Sequence, residues 1–301
     1  MILENLALEG QLLRDEPLRR YTTWRVGGPA QYLYIPANLA DLSHFLKQIA
    51  HLSLPIIWLG LGSNVLIRDG GIPGIVIYTQ GGLSHIDVMA SGLLRVEAGV
   101  PCAKVAKFSV RNQLTGAEFL AGIPGTMGGA LAMNAGAFGS ETWPFVARVE
   151  IINRQGEITH RNANEFVPQY RSIKGLGEDE WFAAAHLQLT PIDAKTAENN
   201  VKTLLKKRND TQPIGEPSCG SVFKNPPNQF AAQLIEQCGL KGKTIGKARV
   251  SLKHANFIVH DGNACAEDIE ALIYFVQESV LQQCGLLLES EVKILGINTQ
   301  N

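Results

Sequence analysis

Residues 122 to 139 read Gly-Ile-Pro-Gly-Thr-Met-Gly-Gly-Ala-Leu-Ala-Met-Asn-Ala-Gly-Ala-Phe-Gly, with six glycines and four alanines in eighteen positions. Glycine lacks a Cβ atom, so the main-chain N–H groups of such a run can approach an anion closely. Glycine-rich turns hold a diphosphate in this way without needing a lysine. The stretch therefore predicts a place where the backbone contacts a phosphorylated ligand.

A second, shorter glycine run occurs earlier in the chain. Gly60-Leu61-Gly62-Ser63-Asn64 follows the apolar residues 55–59. Neither run has the G-x-G-x-x-G spacing, and neither ends in the Gly-Lys-Ser/Thr of a P-loop. Glycine clusters also occur in tight turns and bulges of ordinary sheets, and either run alone fits that explanation equally well. Two separated runs in one chain favour a long dinucleotide cofactor.

The composition is that of a compact protein with more than one core. The chain has 301 residues, of which 45% are hydrophobic and 18% charged, and its formal net charge is −1. A balanced charge argues against nucleic acid or an anionic membrane as the main partner. The five cysteines are scattered and odd in number, which is typical neither of a disulfide framework nor of a zinc site. With no basic, apolar leader at the start, we expect a cytoplasmic protein without a membrane segment or a bound metal.

Hydrophobic patterning predicts a sheet-rich α+β protein. A strand at 32–35, a helix at 38–50 with Asn38 as its cap, and a strand at 56–59 lead into the first glycine run. Further strands are predicted at 74–78, 93–97, 146–153, 157–161, 181–189, 222–224, 256–259 and 291–295, and helices at 104–112, 194–208, 229–238 and 266–284. The Pro- and Gly-containing turn at 212–217 ends the charged helix and marks a domain boundary.

Five motifs, in this order, resemble the UDP-N-acetylenolpyruvoylglucosamine reductase family. They are Thr-Thr-Trp-Arg-Val-Gly-Gly-Pro-Ala at 22–30, Gly-Leu-Gly-Ser-Asn-Val-Leu at 60–66, Ala-Gly-Ile-Pro-Gly-Thr-Met-Gly-Gly at 121–129, Gly-Ser-Val-Phe-Lys-Asn-Pro at 220–226 and Lys-His-Ala-Asn-Phe at 253–257. The resemblance extends over residues 22–295, nearly the whole chain. By its length the chain resembles the shorter subtype, which lacks an extra tyrosine-bearing loop.

The resemblance implies an α+β architecture with a vanillyl-alcohol-oxidase-type (PCMH-type) FAD-binding fold. Residues 1–80 and 81–205 would be its two subdomains, and residues 206–301 would bind the UDP-sugar. FAD would be held non-covalently, with its diphosphate on the two glycine runs. The residues implied in cofactor binding are Gly60, Gly62, Ser63, Asn64, Gly122, Ile123, Pro124, Gly125, Thr126, Gly128 and Gly129.

The family's reaction reduces an enol ether conjugated to a carboxylate. NADPH gives hydride to the flavin, the flavin gives hydride to the terminal vinyl carbon, and the adjacent carbon takes a proton. The implied substrates are therefore NADPH and UDP-N-acetylglucosamine enolpyruvate, and the implied product, UDP-N-acetylmuramate, is a peptidoglycan precursor. We expect a monomer with no nucleic-acid or membrane partner.

Three residues match the family's catalytic positions: Arg171, Glu291 and Ser221. Hydride addition spreads negative charge into the substrate carboxylate, where the planar fork of Arg171 can grip it and Glu291 would steady the enolate. Ser221 would donate the proton. A serine hydroxyl is a weak acid, but a carbanion is a strong base, and correct placement makes the transfer fast. Without the motifs, the ordinary interpretation of Arg171 and Glu291 is a surface ion pair, and that of Ser221 is a turn residue. The motifs favour the catalytic roles instead.

The resemblance also implies substrate contacts by Tyr170, Lys224 and Asn225. The stretch 241–260 holds five basic residues and no acid, which predicts a positive field for the UDP diphosphate or, alternatively, an ordinary solvated loop. His254 is interpreted as a structural histidine.

Two residues depart from the family pattern. Cys219 stands where alanine is usual, and His260 stands where asparagine is usual. Cys219 lies close to Ser221 in sequence, so we hypothesise that thiol reagents inactivate the enzyme. Two other functions remain open: an oxidase of the same flavin fold, which would use oxygen instead of a nicotinamide, and a non-catalytic sugar-nucleotide sensor.

Overall fold

The computed structural model describes Leu3 and residues 6–299, which form two compact units. The first unit contains the described residues up to 14 together with 32–61 and 74–206; the second contains 15–31, 62–73 and the described residues from 207 onward. These units do not coincide with the three predicted domains, whose boundaries stay predictions. The chain therefore passes between the units several times before residue 75.

A few helices are interspersed among runs of strands in the described residues, as expected for a sheet-rich α+β protein. In chain order they are β1 Gln11–Pro17, β2 Pro29–Ile35, α1 Leu39–Ile49, β3 Ile56–Leu59, β4 Val65–Ile67, β5 Ile72–Tyr78, β6 Ile86–Val88, β7 Leu94–Glu97, α2 Cys102–Arg111, β8 Leu114–Thr115, α3 Met127–Ala132, β9 Gly136–Ala137, β10 Ser140–Glu141, β11 Val146–Asn153, β12 Ile158–Asn162, β13 Val167–Gln169, β14 Ser172–Lys174, β15 Glu180–Leu187, β16 Thr190–Pro191, α4 Ala194–Thr211, α5 Ala231–Gln237, β17 Thr244–Ile245, β18 Ala248–Val250, β19 Ile258–His260, α6 Ala266–Cys284 and β20 Lys293–Leu295.

Two sheets lie mainly in the first unit. The four-stranded sheet has the order β1-β2-β5-β3, and its strands β3 and β5 run parallel. The five-stranded sheet has the order β12-β11-β15-β7-β6 and is antiparallel throughout. One apolar core lies between the five-stranded sheet, α2 and α3, and a second packs α1 against β2 and β5.

Helix α1 illustrates how local sequence and packing agree. Asn38 accepts a hydrogen bond from the N–H of Asp41 at 2.9 Å, which caps the helix as predicted. Residues 42, 45, 46 and 49 are buried, and this spacing places them on one face of the helix. The buried carboxylate of Asp41 also accepts the N–H groups of Glu9, Gly10 and Ala37. The start of the helix is thereby fixed to the preceding chain.

The second unit is built around α6. This helix packs with α5 and with the three-stranded sheet β17-β18-β19 in one apolar core. Its first N–H groups, on Ala266 and Glu267, donate to the carboxylate of Asp69 at 3.0 Å each. Arg68 makes a two-fold ion pair with Glu270 one turn further on. Residues just after β4 therefore hold the N-terminal end of α6, while β4 itself pairs in parallel with β20.

Most predicted elements are present, with bounds that shift by up to three residues, and one is absent. The predicted strand at 222–224 is wrong: the segment forms a single bridge between Phe223 and Ser290, because the side chain of Asn256 bonds the N–H and C=O of Phe223 and interrupts a continuous ladder. Helix α4 continues to Thr211, beyond the predicted end at 208. No helix in the described part of the chain has both the length and the apolar character needed to cross a membrane.

Candidate functional site

The two glycine runs meet within the first unit. A Cβ atom built on Gly60 would lie 2.3 Å from the Oγ1 of Thr126, a residue of the second run that is 2% exposed. Such a contact is too short for any side chain, so only glycine at position 60 lets the two runs touch. Residues about 65 positions apart in sequence thus share one surface, as a common ligand requires.

Several glycines of the second run are explained by packing. A Cβ on Gly122 would lie 2.4 Å from the ring of Phe138, and one on Gly128 would lie 2.9 Å from the Cβ of Ala98. The N–H groups of Met127 and Gly128 donate to the carbonyls of Val100 and Ala98 at 2.9 and 2.8 Å. These two N–H groups are used inside the protein and are not available to an anion. The whole run therefore does not form the phosphate cradle that its sequence suggests.

Gly129 is different. It is exposed on α3, and a Cβ there would meet no atom nearer than Thr126 Oγ1, at 3.9 Å. Its backbone has an ordinary helical conformation, so neither strain nor packing requires glycine here. The open side of Gly129, next to the Gly60–Thr126 contact, is the part of the run that a ligand can approach closely.

The end of the first run belongs to the second unit. Gly62 has a left-handed φ of 63°, and a Cβ on it would lie 2.2 Å from the carbonyl oxygen of Tyr21. Its carbonyl accepts the N–H of Thr23 at 3.1 Å. The motif at 22–30 therefore fixes the conformation of Gly62, and Ser63 and Asn64 follow it into β4.

Arg171 lies at the tip of a hairpin in the first unit. Tyr170 and Arg171 form the two-residue turn between β13 and β14, and Arg171 has a left-handed φ of 58°. Its guanidinium carbon lies 4.9 Å from the centroid of the Tyr170 ring. Tyr170 is 46% exposed, so the pair presents an aromatic face and a cation at the surface of the unit.

A buried asparagine links this hairpin to the glycine run. Asn134, which follows α3 and is 1% exposed, donates from its side-chain nitrogen to the carbonyl of Gln169 at 3.3 Å and to Glu141 at 2.9 Å. Its side-chain oxygen accepts the N–H of Trp143 at 3.2 Å. The tip that carries Arg171 is thus tied to the segment that carries Gly129. Asn134 is not among the site residues predicted from the sequence.

Ser221 lies in an extended segment of the second unit that Asn256 holds. The Asn256 side chain accepts the N–H of Phe223 at 2.9 Å and donates to the Phe223 carbonyl at 2.8 Å. Its own carbonyl accepts the N–H of Val222 at 2.9 Å. Gly220, just before Ser221, has a left-handed φ of 82°, which favours glycine at this turn. The Ser221 side chain is half-buried at the end of this fixed segment.

Glu291 pairs with the same segment from the other side. Its N–H donates to the carbonyl of Val222 at 2.8 Å, and the N–H of Lys224 donates to the carbonyl of Glu289 at 2.9 Å. The Lys224 ammonium also forms an ion pair with the Glu289 carboxylate. The structure therefore brings Ser221, Lys224 and Glu291 together within the second unit, whereas Arg171 and Tyr170 belong to the first.

The structure gives Cys219 and His260 structural roles. Cys219 is 4% exposed, and burial, followed by the negative charge of Glu291, raises the pKa of its thiol well above the usual value. A buried, protonated thiol is a poor nucleophile, which argues against the hypothesis that Cys219 makes the enzyme sensitive to thiol reagents. The Nε2 of His260 donates to the carbonyl of Trp24 at 2.6 Å, and its Nδ1 accepts the N–H of Gly262 at 2.9 Å.

The basic stretch at 241–260 is less positive than its sequence indicates. Acids from other elements neutralise it: Lys241 pairs with Glu236 at 2.8 Å, and Arg249 pairs with Glu216 at 2.9 Å. The ammonium of Lys243 lies over a phenylalanine ring, 4.5 Å from its centroid. The predicted positive field for a diphosphate is therefore weakened, because folding brings acidic residues to it that the local sequence lacks.

One cluster in the described residues has metal-ligating side chains: Glu150, His160 and His186. Arg95 forms a two-fold ion pair with Glu150 at 2.7 Å, and His186 bonds the same carboxylate at 2.8 Å. Burial is the main cause that lowers the pKa of His186, which keeps it neutral. With a guanidinium already on the carboxylate, we interpret the cluster as a buried ion-pair network that ties neighbouring strands together.

Comparisons with known proteins agree with this geometry. Residues 30–162 match an FAD binding domain, and residues 212–295 match the C-terminal domain of UDP-N-acetylenolpyruvoylglucosamine reductase. The reductase of Legionella pneumophila (strain Corby) is 57% identical over 289 residues, covering 96% of this chain and 93% of the relative. That of Methylococcus capsulatus is 55% identical over 287 residues, covering 95% and 94%. The crystal structure of the Thermus caldophilus enzyme superposes with a TM-score of 0.82 at 32% identity, covering 96% of this chain and all of that one.

The residues present fit an FAD diphosphate at one place in the first unit. Gly129 leaves space for a close approach, and Gly60 and Thr126 join the two runs beside it. The half-buried stretch Ile123-Pro124-Gly125 continues the same surface. Positions 62–64 lie in the second unit, so their part in cofactor binding stays a prediction.

Replacing Gly129 with alanine separates ligand contact from folding. The added methyl group fits the protein, and alanine favours a helix over glycine by about 0.5–1 kcal/mol, so we expect unchanged or higher thermal stability. The methyl group would occupy the space of the cofactor, so we expect FAD to bind about tenfold more weakly or worse. Fluorescence titration of the apoprotein with FAD measures this.

Gly128→Ala is the matched control for Gly129→Ala. Its methyl group would press on Ala98, so stability should fall. Wild-type FAD affinity in Gly129→Ala would show that the cofactor does not approach this residue.

Proposed function

The chain belongs to the UDP-N-acetylenolpyruvoylglucosamine reductase family, and from this premise we propose that it reduces UDP-N-acetylglucosamine enolpyruvate to UDP-N-acetylmuramate with NADPH. The observation that carries the proposal is the pairing of the Ser221 segment with Glu291, which places an unionised hydroxyl and a carboxyl group on adjoining backbones. The reaction consumes NADPH and one proton and saturates the enol ether. It belongs to peptidoglycan precursor synthesis.

Bound FAD would supply the hydride chemistry, which no side chain of this chain can perform. Ser221 supplies the proton to the substrate carbon that carries the carboxylate. The hydrogen-bonded backbone from Val222 to Phe223 keeps the Ser221 hydroxyl in one place. This fixed position matters more for proton transfer than the low acidity of the hydroxyl. A protonated Glu291 on the adjoining backbone would steady the enolate by donating a hydrogen bond to it, whereas an ionised carboxylate would repel it.

Arg171 would bind the substrate carboxylate. Negative charge grows there as the enolate forms, and a guanidinium already in place stabilises it without reorganisation. The hairpin turn and the Asn134 contact to Gln169 limit the movement of the tip. Arg171 is therefore preorganised for a planar, two-fold contact.

Lys224, Asn225 and Tyr170 would hold the sugar nucleotide. Lys224 already pairs with the exposed Glu289, so a diphosphate would compete with that carboxylate for the ammonium group. The side-chain oxygen of Asn225 accepts the N–H of Ala231 at 3.1 Å at the start of α5, which holds its amide group in place. Tyr170 offers a hydroxyl and an exposed ring.

We also propose that the protein works in the cytoplasm. All five cysteines are free thiols, as is usual in a reducing compartment.

The purified enzyme tests the proposed function with defined substrates. NADPH consumption should require UDP-N-acetylglucosamine enolpyruvate, and mass spectrometry should find a product heavier by two hydrogen atoms. UDP-N-acetylglucosamine, which lacks the alkene, is the matched control and should support no turnover. Consumption that is the same with both sugar nucleotides would contradict the proposal.

A further inference from the structure

Asn64 contacts the backbone that carries Glu291. It lies just before β4, and Glu291 lies two residues before β20, which pairs in parallel with β4. The Asn64 side chain donates to the carbonyl of Glu291 at 3.0 Å. The Asn64 carbonyl accepts the N–H of Lys293 at 3.1 Å. Asn64 thus hydrogen-bonds the chain at the start of β20 through both its side chain and its backbone.

The opposite side of Glu291 is fixed as well. Its N–H donates to the carbonyl of Val222, next to Ser221, at 2.8 Å. With the N–H held by the Ser221 segment and the C=O held by Asn64, both peptide groups of Glu291 are anchored. The direction in which its side chain leaves the backbone is therefore set by Asn64 and by Val222.

We infer that Asn64 is a positioning residue that acts through Glu291, an inference that rests on the proposed function. The role differs from the cofactor contact that the glycine run at 60–64 suggests. An alanine at this position removes the donor to the Glu291 carbonyl and keeps the main-chain bond to Lys293. An aspartate keeps the size of asparagine but has no N–H group to donate.

A double-mutant cycle tests this inference. Asn64→Ala and Asn64→Asp are assayed with FAD in excess, so that weaker cofactor binding does not lower the rate, and we expect reduction of the flavin by NADPH to slow less than its reoxidation. Reoxidation by the enolpyruvyl substrate should slow about tenfold to hundredfold in both variants. In a Glu291→Ala background the same changes should have no further effect, because the residue through which Asn64 acts is gone.

The outcomes separate the inference from the proposed function. If Glu291→Ala alone reacts at the wild-type rate, the role proposed for Glu291 fails. If Glu291→Ala is slow but the Asn64 effect adds to it in full, or if the Asn64 variants slow flavin reduction as much as reoxidation, the positioning role is wrong. Thermal melting of each variant checks that the second unit remains folded.

A separate observation concerns two cysteines at one end of the second unit. Cys238 ends α5, Cys284 is the last residue of α6, and their Sγ atoms lie 3.6 Å apart. Cys284 is exposed and Cys238 is half-buried, so small oxidants can reach the pair. A disulfide has an S–S distance of about 2.05 Å, so a shift of about 1.5 Å would join them.

The other three cysteines lack such a neighbour and serve as references. Cys102 and Cys219 are buried in apolar cores, where reagents do not reach them. Cys265 is exposed but caps the start of α6, about 28 Å along the helix from Cys284. Among the five cysteines, only Cys238 and Cys284 combine proximity with access.

We propose that Cys238 and Cys284 form an oxidative modification site that closes to an intramolecular disulfide. With hydrogen peroxide as the oxidant, the Cys284 thiolate displaces hydroxide and becomes a sulfenic acid. The Cys238 sulfur then attacks that sulfur and water leaves, so two thiols and one peroxide give one disulfide and two waters. Cys284 is the more exposed of the two and reacts first, while burial and the neighbouring thiol raise the pKa of Cys238, which attacks second.

Peptide mapping of the peroxide-treated holoenzyme tests the site. We expect loss of two hydrogen atoms, one peptide linking Cys238 to Cys284, and a melting temperature several degrees higher that dithiothreitol reverses. Cys284→Ser should abolish all three changes, and the exposed control Cys265→Ser should keep them. Two free thiols at 238 and 284 after treatment, or a disulfide between different cysteines, would overturn the proposal.

Discussion

Ser221→Ala is expected to leave reduction of the flavin by NADPH at the wild-type rate and to slow reoxidation by the enolpyruvyl substrate about 10²- to 10⁴-fold. The hydroxyl is the proposed proton donor, whereas hydride transfer from NADPH does not involve it. The segment itself should keep its shape, because backbone groups of Val222 and Phe223 make its bonds to Asn256. Anaerobic stopped-flow absorbance separates the two half-reactions.

Ser218→Ala is the matched control for Ser221→Ala. Ser218 is half-buried three residues earlier in the same segment, so its loss reports any general effect of removing a hydroxyl there. We expect both half-reactions of this variant to run at the wild-type rate. Wild-type reoxidation in Ser221→Ala would remove Ser221 from the mechanism.

Arg171→Ala should slow reoxidation by the substrate about 10²- to 10³-fold, the usual effect of losing a group that stabilises a developing negative charge. Arg171→Lys should fall between this variant and the wild type, because lysine keeps the charge but loses the planar fork. Neither change relieves or adds backbone strain at the left-handed position, since arginine, alanine and lysine all carry a Cβ atom. The rate of each half-reaction and the affinity for substrate measure the effect.

Lys174→Ala provides the control on the same hairpin. Lys174 is an exposed cation on β14, three residues from the turn. If its loss slows reoxidation as much as the loss of Arg171 does, the effect comes from the general field of the hairpin and not from a specific contact. Equal rates for Arg171→Lys and the wild type would also contradict a two-fold contact to the carboxylate.

The family, the α+β architecture and the FAD-binding fold predicted from the sequence are confirmed. Elements defined by local signals were predicted well: α1 has the Asn38 cap, and α6 has the predicted bounds of 266–284. The strand at 222–224 was wrong because the side chain of Asn256, from a distant segment, bonds both backbone groups of Phe223 and interrupts a regular ladder. Local periodicity carries no information about such a partner.

The candidate site was likewise predicted where local motifs define it and missed where distant residues contribute. The motifs pointed to both glycine runs, but their contact at Gly60 and Thr126 depends on tertiary structure. The basic stretch at 241–260 looked strongly positive because the neutralising acids Glu216 and Glu236 lie outside it. Asn134 and Asn256 were not predicted as site residues. Asn256 stands within the motif at 253–257, which was a usable signal, whereas Asn134 has no signal beyond its place in the glycine run.

His260 shows how a departure from the family pattern can be structural. It uses one ring nitrogen to donate to Trp24 and the other to accept from Gly262. An asparagine side chain also offers an N–H donor and a C=O acceptor, so the two residue types share the kinds of hydrogen-bonding group used here. Sequence alone could not identify these partners, since Trp24 is 236 residues away.

The central claim is that the protein, with FAD bound, uses NADPH to reduce an enolpyruvyl sugar nucleotide. Absorbance of the anaerobic holoenzyme near the flavin band tests it directly. We predict that NADPH bleaches the yellow protein, and that UDP-N-acetylglucosamine enolpyruvate, added without oxygen, restores the colour with formation of UDP-N-acetylmuramate. A reduced enzyme that this substrate leaves colourless, and that only oxygen recolours, would contradict the account and favour an oxidase.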